Sequence, residues 1–171
     1  MIRLEKVSLE KRALLWNIHQ KYLYEMTNYY DDELDENGNY RYRYFDAYFS
    51  EPERKALLIY GDQVLIGFAM VNPYSYIGEN PDYVLAEFTI FPMYRKRHWG
   101  KEAAEHLLKT YGGRWEIKYS EKNAGAKAFW AKVTNAYQPV KKYSCGNGET
   151  VLSFSTTGDA DNRSVNRSVA D

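Results

Sequence analysis

The stretch EFTIFPMYRKRHWGK, Glu87 to Lys101, narrows the folds open to this chain more than any other. Phe88, Thr89, Ile90 and Phe91 are aromatic or β-branched and read as the end of a strand. Pro92 has no N–H to donate and closes the ladder. Arg95, Lys96, Arg97, His98, Trp99, Gly100 and Lys101 follow as a basic loop. Ala103, Ala104, Leu107, Leu108 and Tyr111 then recur at the spacing of one buried helix face. A strand therefore feeds a basic loop, and the loop opens a helix whose first N–H groups have no partner within it. Those groups carry partial positive charge, and a glycine lets a ligand approach the backbone. Such a place suits a phosphate or pyrophosphate.

The rest of the chain reads as alternating elements. Ile2 to Val7 is a short strand, and Ser8 is placed to cap a helix reaching about Asn28, with Leu15, Ile18, Tyr22, Met26 and Tyr29 on one side. A loop follows with the acid cluster Asp31, Asp32, Glu33, Asp35 and Glu36, and Asn37-Gly38 marks a turn. Tyr40 to Phe49 alternates at first, but Tyr44, Ala47 and Tyr48 favour helix. Lys55–Tyr60 and Val64–Val71, joined by Gly61-Asp62-Gln63, form a hairpin. Tyr83 to Phe91 is the strand that enters the basic loop. Gly112-Gly113 ends the helix after that loop, and Arg114–Tyr119 is a half-buried strand. Asn123 to about Asn135 is a helix with Ala126, Phe129, Trp130 and Val133 on one face, and Thr150–Phe154 is a last strand. The tail, residues 156–171, is polar and has little to bury. This order predicts a mixed α/β domain over residues 1–155, with helices packed on a central mixed sheet.

Composition excludes some function classes. In 171 residues, 23 basic side chains balance 23 acidic ones, so nothing pulls the chain generally toward nucleic acid or an anionic membrane. The interleaved YRYRYF and YRKRHW segments do have the makings of a single-strand binder, but the burial expected of the tyrosines argues against it. The single cysteine, Cys145, allows no internal disulfide and is placed in a loop. His19, His98 and His106 show no metal spacing, so no metal is expected. No apolar run approaches a membrane span, and no charged start with an apolar run opens the chain; a cytoplasmic protein is expected.

The basic loop resembles the signature of the GNAT superfamily of acyl-CoA-dependent N-acetyltransferases: Gln or Arg, two residues, Gly, one residue, then Gly or Ala. Arg95 fills the first place and Gly100 the last, while His98 stands where the middle glycine is expected. A second match lies on the helix after the next strand, where the family often carries Asn, two residues, Ala, two residues, Phe-Tyr; here these are Asn123, Ala126, Phe129 and Trp130. The resemblance implies the GNAT fold: a central, mostly antiparallel twisted sheet, helices on both faces, and a splayed strand pair holding acyl-CoA. It implies acetyl-CoA as co-substrate, bound by Phe88, Thr89, Ile90, the loop Arg95 to Lys101, Asn123 and Phe129. It implies a main-chain N–H near Ile90 as oxyanion donor.

Acetyl transfer needs an amine that has lost its proton, and Glu87 is the candidate base, provided the strand register turns it into the cleft. Trp130 occupies the position from which many family members protonate the leaving thiolate, and its indole is no acid at neutral pH. Tyr137 is the fallback acid, with water as the other source of the proton. Tyr40, Tyr42 and Tyr44 stand near the place where the family builds its acceptor site, as an aromatic wall or as packing. The expected partners are a small-molecule or protein amine and, as an assembly the reading admits, a homodimer; neither nucleic acid nor membrane is expected. His98 and Trp130 also motivate an alternative: a CoA-binding or regulatory domain with little catalysis.

Overall fold

The computed structural model describes residues 1–158, and the remainder of the polar tail lies outside them. Its frame is a seven-stranded sheet. The strands are β1 (Ile2–Lys6), β2 (Lys55–Gly61), β3 (Val64–Asn72), β4 (Tyr83–Ile90), β5 (Arg114–Ser120), β6 (Lys141–Cys145) and β7 (Glu149–Ser155). Their order across the sheet is β1-β2-β3-β4-β5-β7-β6. All neighbours are antiparallel except β4 and β5. The helices are α1 (Arg12–Met26), α2 (Ala47–Ser50), α3 (Trp99–Thr110) and α4 (Ala124–Thr134).

The helices cover the sheet from both sides. On one face Ala103, Ala104, Leu107 and Leu108 of α3 and Trp130 and Val133 of α4 close on Ile59, Leu85, Trp115 and Ile117. On the other, Leu15 of α1 and Tyr48 of α2 close on Leu58, Phe68 and Met70. The face foreseen for α3 is the buried one, and Tyr111 is half-buried at its end. The β2–β3 turn takes Asp62 and Gln63 at φ 46° and 72°, the left-handed pair that matches the twist of a tight hairpin.

Three expectations need correcting. Tyr40 to Phe49 is not a helix; only Ala47–Ser50 is. The Gln20 side chain takes Tyr40's N–H at 2.7 Å and donates to its C=O at 2.9 Å, so this backbone finds its partners without helical bonds. Lys141–Cys145 is an unforeseen strand that places Cys145 at its end rather than in a loop. It pairs only with β7 and keeps both lysines exposed, as a sheet edge does, so it carries little apolar alternation to read. In α1 the buried positions are Leu15, His19 and Leu23, so the face turns about one position from the one expected.

His19 is fully buried and neither ring nitrogen has a hydrogen-bond partner among the described residues. Aromatic rings surround it: Tyr42 edge-on at 4.3 Å between centroids, with Tyr22, Phe45 and Phe68 within 6.2 Å. Burial lowers its pKa from 6.5 to about 4. Between those values the unfolded chain binds a proton that the folded chain refuses, so this group costs stability as pH falls through 6.5. His19→Phe removes that cost. Its stability relative to wild type should improve by about 2 kcal/mol more at pH 5 than at pH 7. Urea unfolding of both proteins at both pH values checks this, and an equal difference at the two would show that His19 does not resist protonation.

Candidate functional site

The parallel pair β4–β5 is short. It holds register only from Tyr83↔Trp115 to Leu85↔Ile117, and beyond that the two strands have no paired residues. The divergence coincides with a bulge in β4: Met70 of β3 faces Glu87 and Val71 faces Leu85, so Ala86 is the extra residue. A bulge bends its strand and offsets the alternation of side chains. Leu85 accordingly packs into the α3–α4 core, whereas Glu87 lies in register with Met70 of the α1–α2 core. The result is a wedge between strands with two differently lined sides.

The α3–α4 side is apolar at its wall and polar at its mouth. Phe88 stacks on Phe129 at 5.9 Å and meets Trp130 edge-on at 5.2 Å. Gly100 sits against Phe129; a Cβ there would lie 3.3 Å from its ring. Lys96 and His98 both adopt φ 62°, the left-handed region. His98 therefore holds the shape for which a middle glycine would be the easy choice, at a cost its side chain tolerates better than a branched one. The backbone N–H groups from Lys96 to Lys101 find no acceptor among the described residues, and no side chain caps α3. They form a concave row of donors at a helix start.

Of the loop's cations, Arg95 does not project over this row. Its Nη atoms grip both oxygens of Glu25 at 2.5 and 2.8 Å, and its Nε donates to the Ile90 carbonyl at 2.6 Å. Trp99 packs on Tyr94, and Lys101 lies 3.6 Å from Glu105. Asn123 caps α4, its side chain accepting the Ala126 N–H at 3.0 Å. Phe91 N–H bonds to Ile66 across β3, which fixes the alternation along β4. Phe88 and Ile90 are then the residues whose N–H groups point away from β3, into the wedge, while the Thr89 side chain is buried with the Phe68 face.

The α1–α2 side holds Glu87. Tyr42 donates to its Oε1 at 3.1 Å. Burial raises its carboxyl to about 7, opposed by hydrogen bonds from Tyr22 and Tyr42 and by the charge of Lys118. Tyr76 and Lys118 complete this side: the Lys118 ammonium sits 4.3 Å from the Tyr76 ring centre and 3.3 Å from Glu149. The loop before β4 is pinned by buried Glu116, which accepts from Ser75 Oγ and Tyr76 N–H. Tyr42 is thus packing and hydrogen-bond donor at once. Tyr22 and Lys118 join Glu87 without any sequence signal that marked them. Tyr40 is buried packing, and Tyr44 is half-exposed under Arg54. Tyr137 does not join Glu87: it stacks on Phe154 at 5.7 Å, on the α3–α4 face. In the acid cluster Asp35 is a turn residue, accepting the N–H groups of Asn37 and Asn39. Among the described residues no group of three or more His, Cys, Asp or Glu is placed to hold a metal, and no helix is long and apolar enough to cross a membrane.

The profile of the acetyltransferase (GNAT) family matches residues 15–134, well over half of the chain. Curated proteins give no significant match. Solved structures do. An acetyltransferase from Thermus thermophilus is 19% identical, with 90% of this chain and 95% of that one covered at a TM-score of 0.62. The PaiA N-acetyltransferase of Thermoplasma acidophilum, in complex with coenzyme A, is 15% identical over 91% and 99% at 0.59. The aminoglycoside acetyltransferase AAC(6')-Ib, in complex with coenzyme A and kanamycin, is 10% identical over 92% and 95% at 0.67. At these identities the likeness is one of fold.

The left-handed His98 carries a backbone cost that glycine does not. His98→Gly should raise the unfolding free energy by about 1 kcal/mol, read by denaturant melts. A destabilised variant would mean that the imidazole makes an interaction worth more than the strain.

Proposed function

We propose that this chain, which belongs to the GNAT acetyltransferase family, transfers the acetyl group of acetyl-CoA to a primary amine, with Glu87 as general base. The observation that carries the reading is the position of Glu87. It stands just past the bulge at the mouth of the wedge, held by Tyr42, with its carboxyl raised to about 7. The acetyltransferase unit is taken as residues 1–155 of a protein acting in the cytoplasm.

The residues fit a coenzyme A. The unpartnered N–H groups from Lys96 to Lys101 suit a pyrophosphate, and Gly100 lets the start of α3 that carries them lie against Phe129. Phe88, Phe129 and the Asn123 cap line the path of the pantetheine arm. Acetyl-CoA, when bound there, supplies a thioester carbon to the amine. The Ile90 N–H is the donor for charge that builds on the thioester oxygen, with Phe88 N–H on the same edge. Glu87 takes the proton from the acceptor's ammonium, and a base poised near neutrality is matched to that task. The freed nitrogen attacks directly while both substrates are held; the N–C bond forms as the C–S bond breaks. Trp130 offers no acid, and Tyr137, on the α3–α4 face with Phe129 and away from Glu87, stays the fallback. The leaving thiolate takes its proton from Tyr137 or from water.

The pH profile follows from the base. Glu87 works ionised, so kcat/KM should rise with pH through about 7 and level off above it. Glu87→Gln should abolish that limb and lower kcat by roughly 100-fold or more, with acetyl-CoA affinity nearly intact. A Glu87→Gln enzyme turning over at the wild-type rate removes Glu87 from the mechanism.

Binding is separable from chemistry. Calorimetric titration should give micromolar or tighter acetyl-CoA binding to the wild type, and Gly100→Trp should weaken it by pushing the start of α3 off Phe129, in a protein that circular dichroism shows still folded. Binding absent at millimolar acetyl-CoA would favour a family member that neither loads nor turns over the co-substrate.

A further inference from the structure

Arg95 is a clamp rather than a free cation. Its fork closes on both Glu25 oxygens, its Nε reaches the Ile90 carbonyl, and Nη2 lies 3.4 Å from Thr89 Oγ1. One guanidinium thereby joins three elements: the last turn of α1, the end of β4, and the loop that carries the unpartnered N–H groups. Paired, planar hydrogen bonds of this kind fix orientation as well as distance. Glu25 lies about one turn after Tyr22 on α1, and Tyr22 is one of the groups that hold the Glu87 carboxyl down against the effect of burial. The same helix buries His19 against Tyr42, the donor to Glu87.

We propose that Glu25 is a positioning residue that acts through Arg95: it sets the orientation of the 95–101 loop for the pyrophosphate of acetyl-CoA and ties that loop, through α1, to the Glu87 pocket. The proposal rests on the reading of the loop as the coenzyme A site. The Glu25 and Arg95 side chains are 30% and 39% exposed, so charge attraction alone is a small part of the effect. What matters is that the stretch ahead of Trp99 has little other support. Two left-handed residues, Lys96 and His98, hold no hydrogen bond of their own through backbone N–H among the described residues. Trp99 packs on the α3–α4 core, but among residues 95–98 Arg95 is the one described side chain with hydrogen bonds to the rest of the fold. Without Glu25 the guanidinium keeps Ile90 but loses the two bonds that stop it rotating.

The test is a double-mutant cycle in the full chain, using Glu25→Ala, Arg95→Gln and the pair. Alanine keeps the helix, so a folding defect is not expected. In Glu25→Ala, amide hydrogen exchange at residues 96–101 should speed up, and coenzyme A should bind about tenfold more weakly by calorimetry. The KM for acetyl-CoA should rise by a similar factor with kcat at saturation little changed. In the Arg95→Gln background, the same substitution should add almost nothing. Wild-type exchange and affinity in Glu25→Ala would overturn the proposal. Equal losses in both backgrounds would overturn it too, because Glu25 would then act without Arg95. A wild type that does not bind coenzyme A would overturn the reading of the loop itself, and the exchange rates would tell that failure apart from a failure of the clamp.

Discussion

An extra residue, Ala86, opposite the Met70–Val71 step of β3 is the constraint on which the site depends. Strand pairing favours a continuous ladder, and β5 follows β4 for only three residues before the bulge ends the match. Two consequences arise from the same offset. The strands part, which leaves N–H groups of Phe88 and Ile90 without a neighbour strand. The alternation also shifts, which turns Leu85 into one core and Glu87 toward the other. An unbulged β4 would place Leu85 and Glu87 on one face, and either the core would gain a carboxylate or the pocket would gain a leucine.

The loop after β4 depends on the same strand. Ile90 shows its carbonyl to the wedge side because it is not bonded to β3, and that carbonyl is what Arg95 Nε holds. The end of the strand thus anchors the start of the loop. From there the backbone turns left-handed twice and enters α3, so the donors from Lys96 to Lys101 converge at the positive end of a helix dipole. Gly100 is needed for another reason: it lets the start of α3 lie against Phe129 of α4, and so brings the donor row to the wall of the wedge.

Much of this frame was legible in the chain. The hairpin, the apolar face of α3 and the strand–loop–helix unit are local patterns, and each depends on residues close in sequence. The site was legible where it is local and obscure where it is not. The loop carried a signature, and Glu87 stood on a recognisable strand. The direction Glu87 points was not readable, because a bulge leaves no mark in residue types; Ala86 looks like any strand alanine. Tyr22, Tyr42 and Lys118 come from α1, a loop and β5, and only tertiary packing gathers them around one carboxylate. Reading Tyr40 to Phe49 as helix failed for a related reason. The partner that satisfies Tyr40 is Gln20, on a different element. The pairing of Arg95 with Glu25 was not readable either, because the two lie far apart in the chain.

The pocket around Glu87 also shows how two buried titratable groups on adjoining elements oppose one another. Glu87 keeps its proton to about pH 7 when folded and releases it near 4.5 when unfolded, so between those values the folded chain binds more protons and this group costs stability as pH rises. His19 refuses a proton down to about pH 4, and its cost grows as pH falls through 6.5. Between about 4.5 and 6.5 the two slopes have opposite signs. The fold can therefore carry a proton-hungry carboxyl beside a charge-averse imidazole with little net pH dependence from the pair. The aromatic packing of α1 and the 40–48 segment links the two: Phe45, Phe68, Tyr22 and Tyr42 surround His19, and Tyr42 also reaches the half-buried Glu87. Tyr42 then offsets part of the effect of burial on Glu87, because a phenol can donate to a carboxylate, whereas no neighbour among the described residues offers His19 a hydrogen bond. Desolvation partly offset by a phenol's hydrogen bond is what places the carboxyl near neutrality, while desolvation with no such partner drives the imidazole well below it.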